Sequence, residues 1–368
     1  MVIEGVRLIN FRNYKNISVE FGRNINVLIG KNAQGKTNIL EAIYMCSTGK
    51  SFRTSKDKEL ILFGKKEAYV GADIKIGNLE KLTEIKLDVE KPKRIKINKV
   101  ELKNYRELNT GLKVVVFSPD DLKLVKDGPG YRRDYLDICI SQIKPVYQYN
   151  LNRFLKVLIQ RNNLLKSKTE KNELNALLDV FDTQIARLAT LISMERRQHI
   201  KRVLKEAREI HNNITSEKEL FDMKYITNMP DEDSLLNIEK KYKSILLSER
   251  KRDLEFGNTS IGPHRDDFLM TINGKDSRIY ASQGQQRSLV LTLKLSEVNI
   301  LEKETGFFPV LLMDDVYSEL DEERRVFITK LFSKMQTFIT ITDAVEIESL
   351  ASFKKQIFYI EEGCIRGN

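Results

Sequence analysis

The rhythm of hydrophobic and polar positions changes twice along this chain. In the first stretch, Val2 to Ile9 and Ile17 to Phe21 read as two strands joined by a polar turn, Asn10 to Asn16. Asn24 to Ile29 (N-I-N-V-L-I) is a short apolar run rich in β-branched residues, the composition of a parallel strand buried on both faces. Beyond a glycine-rich loop, Ile39, Leu40, Ile43 and Tyr44 recur at helical spacing, so an amphipathic helix is expected to open at Lys36 and Thr37. Gly49 to Thr54 (G-K-S-F-R-T) is a basic turn close behind it. From Tyr69 to Leu102 the period is two: Ile74, Ile76, Ile85, Leu87, Ile95 and Ile97 alternate with polar residues, and Gly77-Asn78 signals a hairpin. An antiparallel sheet with one wet face is expected there. Val114 to Phe117 is a further buried run, closed by Ser118-Pro119.

The second rhythm is helical. Leu151, Phe154, Leu155, Leu158 and Ile159 mark one amphipathic helix. Leu174, Leu178, Phe181, Ile185, Leu188 and Ile192 follow at spacings of four and three, the seam of a coiled coil, and helical composition continues towards Ile210. Another helix is expected from Asp233 to Arg252. Two or three long helices with short connections make an antiparallel arm. After Phe256 the first texture returns. Phe268 to Ile272 and Ser277 to Tyr280 flank Asn273-Gly274, a hairpin signal; Leu289 to Leu301 reads as a helix. Val310 to Met313 and Thr337 to Ile341 read as buried strands, with a last pair at Gln356 to Ile360 and near Cys364. The expected organisation is an α/β domain in two pieces, residues 1–119 and 257–368, interrupted by a helical insertion at 120–256.

Between the first buried strand and its helix, Gly30 to Thr37 reads G-K-N-A-Q-G-K-T and fits the phosphate-loop pattern G-x-x-x-x-G-K-[ST] without a mismatch. The strand–loop–helix context gives the pattern a mechanism. Backbone N–H groups of Gly30, Lys31, Asn32, Ala33, Gln34 and Gly35 and the positive helix end converge on phosphate oxygens. Lys36 is expected to reach the outer phosphates, and the Thr37 hydroxyl to hold Mg²⁺. ATP with Mg²⁺ is thus the expected cofactor pair.

A nucleotide site also needs acidic groups at the end of a buried strand. Pro309-Val-Leu-Leu-Met-Asp314-Asp315 supplies them: Asp314 as the Mg²⁺ ligand, Asp315 as the base or water-positioning group. The plainer alternative is a pair of helix-capping aspartates. Lys36 and Asp314 can share one site only if the intervening helices leave the core and return to it. Before Asp314 comes A-S-Q-G-Q-Q-R-S-L, Ala281 to Leu289. Ser282 and Gln285 form a capping box for the next helix. A serine hydroxyl with the Gly284 N–H at a helix N-terminus also makes a second phosphate site, of use only if it serves a neighbour's nucleotide.

Charge adds a partner. The net charge of +10 points to an acidic polymer, most simply nucleic acid, with solubility as the bland alternative. Lys91 to Lys99 (K-P-K-R-I-K-I-N-K) concentrates that charge on one strand, where edge protection is an equal explanation. The three cysteines, Cys46, Cys139 and Cys364, have no paired spacing and fit a reducing, cytoplasmic setting rather than a disulfide framework or zinc site. No secretory signal and no membrane-length apolar run is expected.

The set G-K-N-A-Q-G-K-T, S-Q-G-Q-Q and L-L-M-D-D-V-Y-S-E-L-D resembles the ATP-binding-cassette (ABC) head of SMC-type chromosome and repair ATPases. More narrowly, L-I-N-F-R-N-Y-K-N, G-K-S-F-R-T, F-S-P-D-D-L-K-L-V-K-D-G-P-G-Y-R-R-D-Y-L-D, G-P-H-R-D-D and D-D-V-Y-S-E-L-D resemble the RecF family of bacterial recombination mediators. The resemblance implies an α/β ABC-ATPase head of SMC/RecF type with an antiparallel β subdomain and an inserted helical arm. It implies a homodimer closing over two ATP molecules, with Ser282, Gly284 and Gln285 facing the partner's nucleotide and Ser318 to Asp321 lining the interface. It further implies binding to single-stranded and gapped double-stranded DNA, and action with RecR and RecO to place RecA on single strands. Slow hydrolysis would act as a timer. An SMC-like ATPase coupled to a nuclease, or a DNA clamp, is the alternative. Three departures from the broader cassette pattern fit weak turnover: Asp315 where glutamate is usual, Thr342-Asp343 in place of a switch histidine, and S-Q-G-Q-Q for S-G-G-Q. His264 is expected to be structural or linked to dimerisation, and Tyr131, Arg132 and Arg133 to respond to nucleotide or DNA.

Overall fold

The computed structural model describes residues 1–102, 108, 110–167, 170–230, 234–317, 320–343, 348 and 350–367. The chain opens with β1 (Val2–Phe11), β2 (Tyr14–Glu20), β3 (Ile25–Ile29) and α1 (Lys36–Thr48). It continues through β4 (Glu67–Ile76), β5 (Leu79–Asp88), β6 (Arg94–Ile97), β7 (Val100–Glu101) and β8 (Val114–Phe117). Next come α2 (Lys123–Lys126), α3 (Pro129–Ile143), α4 (Pro145–Leu165), α5 (Lys171–Ile214), β9 (Phe221–Ile226), α6 (Leu235–Ser248) and α7 (Arg250–Phe256). β10 (Asp267–Ile272), β11 (Lys275–Asp276), α8 (Ser277–Tyr280) and α9 (Gln283–Thr305) follow. The chain closes with β12 (Val310–Met313), α10 (Glu322–Phe332), β13 (Thr337–Ile341), β14 (Lys355–Glu361) and β15 (Cys364–Gly367). These elements fall into two compact units: Met1–Asp121 with Leu291–Asn368, and Leu122–Val290.

The first unit holds two six-stranded sheets. One is antiparallel, in the order β2-β1-β4-β5-β6-β7. Its hairpin from β4 to β5 turns at Gly77-Asn78, with Ile76 opposite Leu79, as the period-two pattern predicts. The other sheet runs β15-β14-β3-β13-β12-β8 and is parallel except for β15. Every residue of β3, β8, β12 and β13 is buried, which is why these strands read as unbroken apolar runs. One core cluster joins Leu8, Val70 and Ile85 of the antiparallel sheet, Leu28, Leu312 and Phe338 of the parallel sheet, and Ile39, Leu40 and Ile43 of α1. That setting corrects the expectation for α1. Residues from Ile39 to Ser47 are all buried, so it is a core helix rather than an amphipathic one.

The turn between β1 and β2 is also tighter than expected. Both strands extend to leave Arg12 and Asn13 at the tip, with Phe11 paired to Tyr14 and Asn10 and Arg12 at positive φ. The exposed Lys91, Arg94, Lys96 and Lys99 lie on and beside β6, next to the two-residue edge strand β7.

The second unit is built on α5, a helix of 44 residues packed by α4 and α6. Leu178, Ile185, Leu188 and Ile192 of the predicted seam are buried. A buried ionic cluster ties α4, α5 and α7: Arg161 donates to Asp182 and Asp253, each at 2.7 Å, and to the Thr259 hydroxyl at 2.9 Å. The insertion is not purely helical. β9 pairs antiparallel with β10, Phe268 opposite Tyr225, and β11 completes a three-stranded sheet. The alternation F-D-M-K-Y-I that forms β9 has a buried–exposed rhythm of strict period two. This pairing moves the boundary: residues 257–290 group with the insertion, not with the first unit, and the chain leaves it within α9. Ser277 to Tyr280 is a short helix rather than a strand, because the Asp276 carboxylate accepts the Arg278 N–H at 2.8 Å and caps it. Asp233, the expected start of the last arm helix, lies outside the described residues, as do Ser318 and Glu319. Among the described residues no helix is long and apolar enough to cross a membrane.

Candidate nucleotide-binding site

The phosphate loop runs from the C-terminal end of β3 into α1, and its two glycines are steric requirements. A Cβ on Gly30 would stand 2.3 Å from the Ile360 carbonyl oxygen. Gly35 has φ +119°, and a Cβ there would meet Asn13 and the Tyr14 hydroxyl at 2.8 Å. The loop is braced from two distant segments. Asn13 at the β1–β2 tip donates to the Gln34 carbonyl at 2.7 Å, and the Tyr14 hydroxyl donates to the Gly35 carbonyl at 3.0 Å. Burial raises the Tyr14 phenol well above its ordinary pKa, so it stays a donor. From the β14–β15 turn, the Glu362 N–H donates to the Gln34 side chain at 2.6 Å and the Gly363 N–H to the Gln34 carbonyl at 3.2 Å.

Lys36 is 4% exposed; its ammonium donates to the Gly30 carbonyl at 2.6 Å and lies 3.9 Å from Asp315 Oδ1. Thr37 Oγ1 donates to Asp314 Oδ1 at 2.7 Å. The residue between these groups in the fold, not in the sequence, is Thr340. Its strand β13 lies between β3 and β12. The Thr340 hydroxyl accepts the Asp315 N–H at 2.8 Å and stands 3.1 Å from Oδ1 of both Asp314 and Asp315. Asp315 has φ +52°, an uncommon backbone state outside glycine that carboxamide and carboxylate residues tolerate best. The Asp314 carboxyl is raised above its ordinary range by burial; the Thr37 hydrogen bond opposes that and the Asp315 charge adds to it.

A cavity of about 630 Å³ is lined by Lys31 to Asn38, by Asp315, and by Arg12, Asn13, Arg53, Lys58, Glu59, Ile61 and Phe63. The size suits a nucleotide, since ligand pockets run from about 300 to 1,000 Å³. Thus the structure brings the phosphate loop, Lys36, Thr37, Asp314 and Asp315 together. Of the other lining residues, Arg12, Asn13 and Arg53 lie in stretches that carry the family resemblance but had no expected role in the site, and Lys58, Glu59, Ile61 and Phe63 were not singled out from sequence. The arginines have a shared anchor: buried Glu41 accepts from Arg12 at 2.7 and 2.8 Å, binds the Ser51 hydroxyl, and stands 4.0 Å from Arg53. The available signal was a charged residue, Glu41, inside an apolar helix between two basic turns.

The donors present fit Mg²⁺, a hard cation that takes one or two protein oxygens and otherwise water and phosphate. Thr37 Oγ1 and Asp314 Oδ1 are such a pair. Among the described residues no group of three or more His, Cys, Asp or Glu side chains is placed to hold a metal, so phosphate oxygens would have to complete the shell.

Ser282, Gly284 and Gln285 belong to the second unit. The capping box forms as predicted: the Ser282 N–H donates to Gln285 Oε1 at 2.9 Å, and the Gln285 N–H to Ser282 Oγ at 3.2 Å. Ser282, Gln283 and Gly284 are exposed. His264 is largely buried, lowered to about 4 by that burial, with its ring bonded to the Thr259 carbonyl at 2.9 Å. Arg132 is committed to a bidentate pair with Asp267 at 2.7 and 2.9 Å, while Tyr131 is exposed.

A family model described as the RecF/RecN/SMC N-terminal domain matches residues 2–365. The DNA replication and repair protein RecF of Clostridium novyi (strain NT) is 43% identical over 365 residues, 99% of each chain. The chain belongs to the RecF family. RecF of Clostridium botulinum (strain ATCC 19397 / Type A) is 42% identical over 367 residues, the full length of both. A solved structure of the recombination mediator RecF with ATP, from the RecFOR pathway, superposes with a TM-score of 0.92 at 37% identity, covering 100% of this chain and 97% of that one. The Smc head domain of Pyrococcus furiosus shares the fold alone, with a TM-score of 0.54 at 16% identity over 100% of this chain and 95% of that one. RecF membership thus places the chain among DNA replication and repair proteins with an SMC-type, ABC-ATPase-like head, mixed α/β and carrying antiparallel sheets.

Proposed function

We propose that the chain is an ATP-switched DNA-binding mediator. Mg·ATP occupies the phosphate-loop cavity and holds two copies together; the dimer binds gapped and single-stranded DNA and, with RecR and RecO, helps load RecA. The first unit is the ATPase head, and the helical insertion is a short arm. The observation that carries this reading is the bond from Thr37 to Asp314, which joins the phosphate loop to the acidic strand end across 277 positions of sequence. The RecF structure with ATP supports the choice of nucleotide. When bound, Mg²⁺ neutralises charge on the outer phosphates. Lys36 orients those phosphates, and Asp315 positions the attacking water for slow hydrolysis that resets the switch. Ser282 and the Gly284 N–H, exposed at the start of α9, meet the triphosphate held by the second copy, with Gln285 bracing the serine.

The test is the oligomeric state with and without Mg·ATP. Ser282→Arg and Ser282→Asp are both expected to leave nucleotide binding by the monomer intact and to weaken ATP-dependent dimerisation at least about tenfold, the worth of one lost charge-assisted bond. The aspartate variant keeps a good helix cap and adds only a negative charge facing phosphate, so it separates repulsion from a frayed helix. Sedimentation showing normal ATP-dependent dimers of Ser282→Asp would remove the cross-subunit role. DNA affinity is expected to fall steeply with salt: a protein contacting about 6–10 phosphates loses on the order of 10³-fold or more between 50 and 200 mM. A flat salt profile in gapped-DNA titrations would count against a basic binding face.

A further inference from the structure

Two faces of α6 carry different chemistry. Ile238, Tyr242 and Leu246, spaced by four, are buried. Asn237, Lys240, Lys241 and Ser244, at positions i, i+3, i+4 and i+7, form an adjacent exposed face. That face is one wall of an open groove of about 750 Å³; the other is the turn after β9, with Thr227 and Asn228. The turn is held by the core. The Arg197 guanidinium of α5 donates to the Met229 carbonyl at 2.6 Å and to the Pro230 carbonyl. A second cavity, of about 80 Å³, is lined by Thr227, Asn228 and Met229 together with Arg265 and Asp266 of the G-P-H-R-D-D motif. Asp266 in turn accepts the Tyr225 hydroxyl of β9 at 2.6 Å. A motif that nucleotide binding leaves without a role thus helps to hold this wall in place.

Lysine, serine, threonine and asparagine side chains are among the groups with which proteins contact nucleic-acid phosphates. They supply six of the eight lining residues, the others being Met229 and Pro230. No described lining residue is acidic; Asp231, Glu232 and Asp233, next in sequence, lie outside the described residues. Exposed lysines alone describe a solvated face. Here uncharged donors stand opposite them on a wall fixed by the core, an arrangement suited to following a chain of phosphates. We propose that this groove is a DNA-backbone track on the insertion, in which Lys240 and Lys241 each neutralise a phosphate and Thr227, Asn228, Asn237 and Ser244 donate to phosphate oxygens. The proposal rests on the DNA reading above and adds where on the chain the backbone is held.

The test titrates gapped DNA, with Mg·ATP present and across a range of salt, against three forms of the protein: the unsubstituted chain, Lys240→Gln/Lys241→Gln, and Lys96→Gln/Lys99→Gln. The last removes the same charge from the exposed lysines on and beside β6. Each lost phosphate contact lowers the slope of log affinity against log salt by about one. The α6 pair is therefore expected to lower it by about two, and to cost roughly tenfold or more in affinity at about 100 mM salt. Glutamine keeps the helix propensity of lysine and both positions are exposed, so melting temperature and Mg·ATP affinity should not change. The β6 pair should leave the slope nearly unchanged. An equal loss in both pairs, or none in the α6 pair, overturns the track. Lysine acetylation of the unsubstituted chain, read by mass spectrometry, should show Lys240 and Lys241 protected by gapped DNA and not by poly-L-glutamate. Protection by polyglutamate without protection by DNA would assign the groove to an acidic protein segment, against the proposal. If the unsubstituted chain binds no DNA even at low salt, the DNA reading falls with it.

Discussion

Lys36→Met is expected to lower ATP affinity by at least about 100-fold, because the proposed role gives its ammonium two charge-assisted bonds to outer phosphates, worth about 1.5–3 kcal/mol each, that would be removed together. The substitution is chosen for what it retains. Lys36 is 4% exposed, so its aliphatic stem is packed, and methionine fills a similar linear volume without the ammonium. The Gly30 carbonyl loses its 2.6 Å donor, but the glycines and the braces from Asn13, Tyr14 and Gly363 still hold the loop. Titration calorimetry with Mg·ATP measures the loss, and circular dichroism checks that the fold persists. Affinity within about threefold of the unsubstituted chain would mean that the cavity does not bind phosphates through this lysine.

Asp315→Asn is expected to leave Mg·ATP binding within a few-fold and to slow hydrolysis by about 10²- to 10⁴-fold, the usual worth of a positioned base. Asparagine is the replacement that the backbone permits. At φ +52° most side chains are strained, whereas asparagine is among those enriched there. The Asp315 N–H keeps its bond to Thr340, so the change is one of charge and basicity rather than of shape. Single-turnover phosphate release, set beside a binding isotherm, separates the two effects. Turnover within a factor of about three would assign the water-positioning role to another group.

Much of this was legible in the residues because the relevant interactions are local. The phosphate loop needs a buried strand before it, glycines inside it and a helix after it, and all three are contiguous from Ile25 to Thr48. The strands Val114–Phe117, Val310–Met313 and Thr337–Ile341 carry their burial in their own composition. Strand β9 was equally visible as F-D-M-K-Y-I, but a six-residue alternation after a helix of 44 residues is overridden by the helical texture around it unless its partner β10 is known. The same pairing moved the end of the insertion from 256 to 290. Helix α1 shows the opposite error: its stripe was read correctly, but only the sheets on either side decide that the rest of its surface is buried too.

By itself, the sequence singled out the groups proposed to carry the chemistry: Lys36, Thr37, Asp314, Asp315 and the Ser282–Gln285 cap, since each is picked out by residue type and short-range spacing. The tertiary structure decided what surrounds them. Thr340 reaches the two aspartates because parallel pairing inserts β13 between β3 and β12. Asn13, Tyr14 and Glu362 grip the loop, and Phe63 joins its cavity, because two sheets bring hairpins from opposite ends of the unit to the same strand end. Contacts between segments hundreds of residues apart depend on register and packing, and neither is written in the spacing of any one segment.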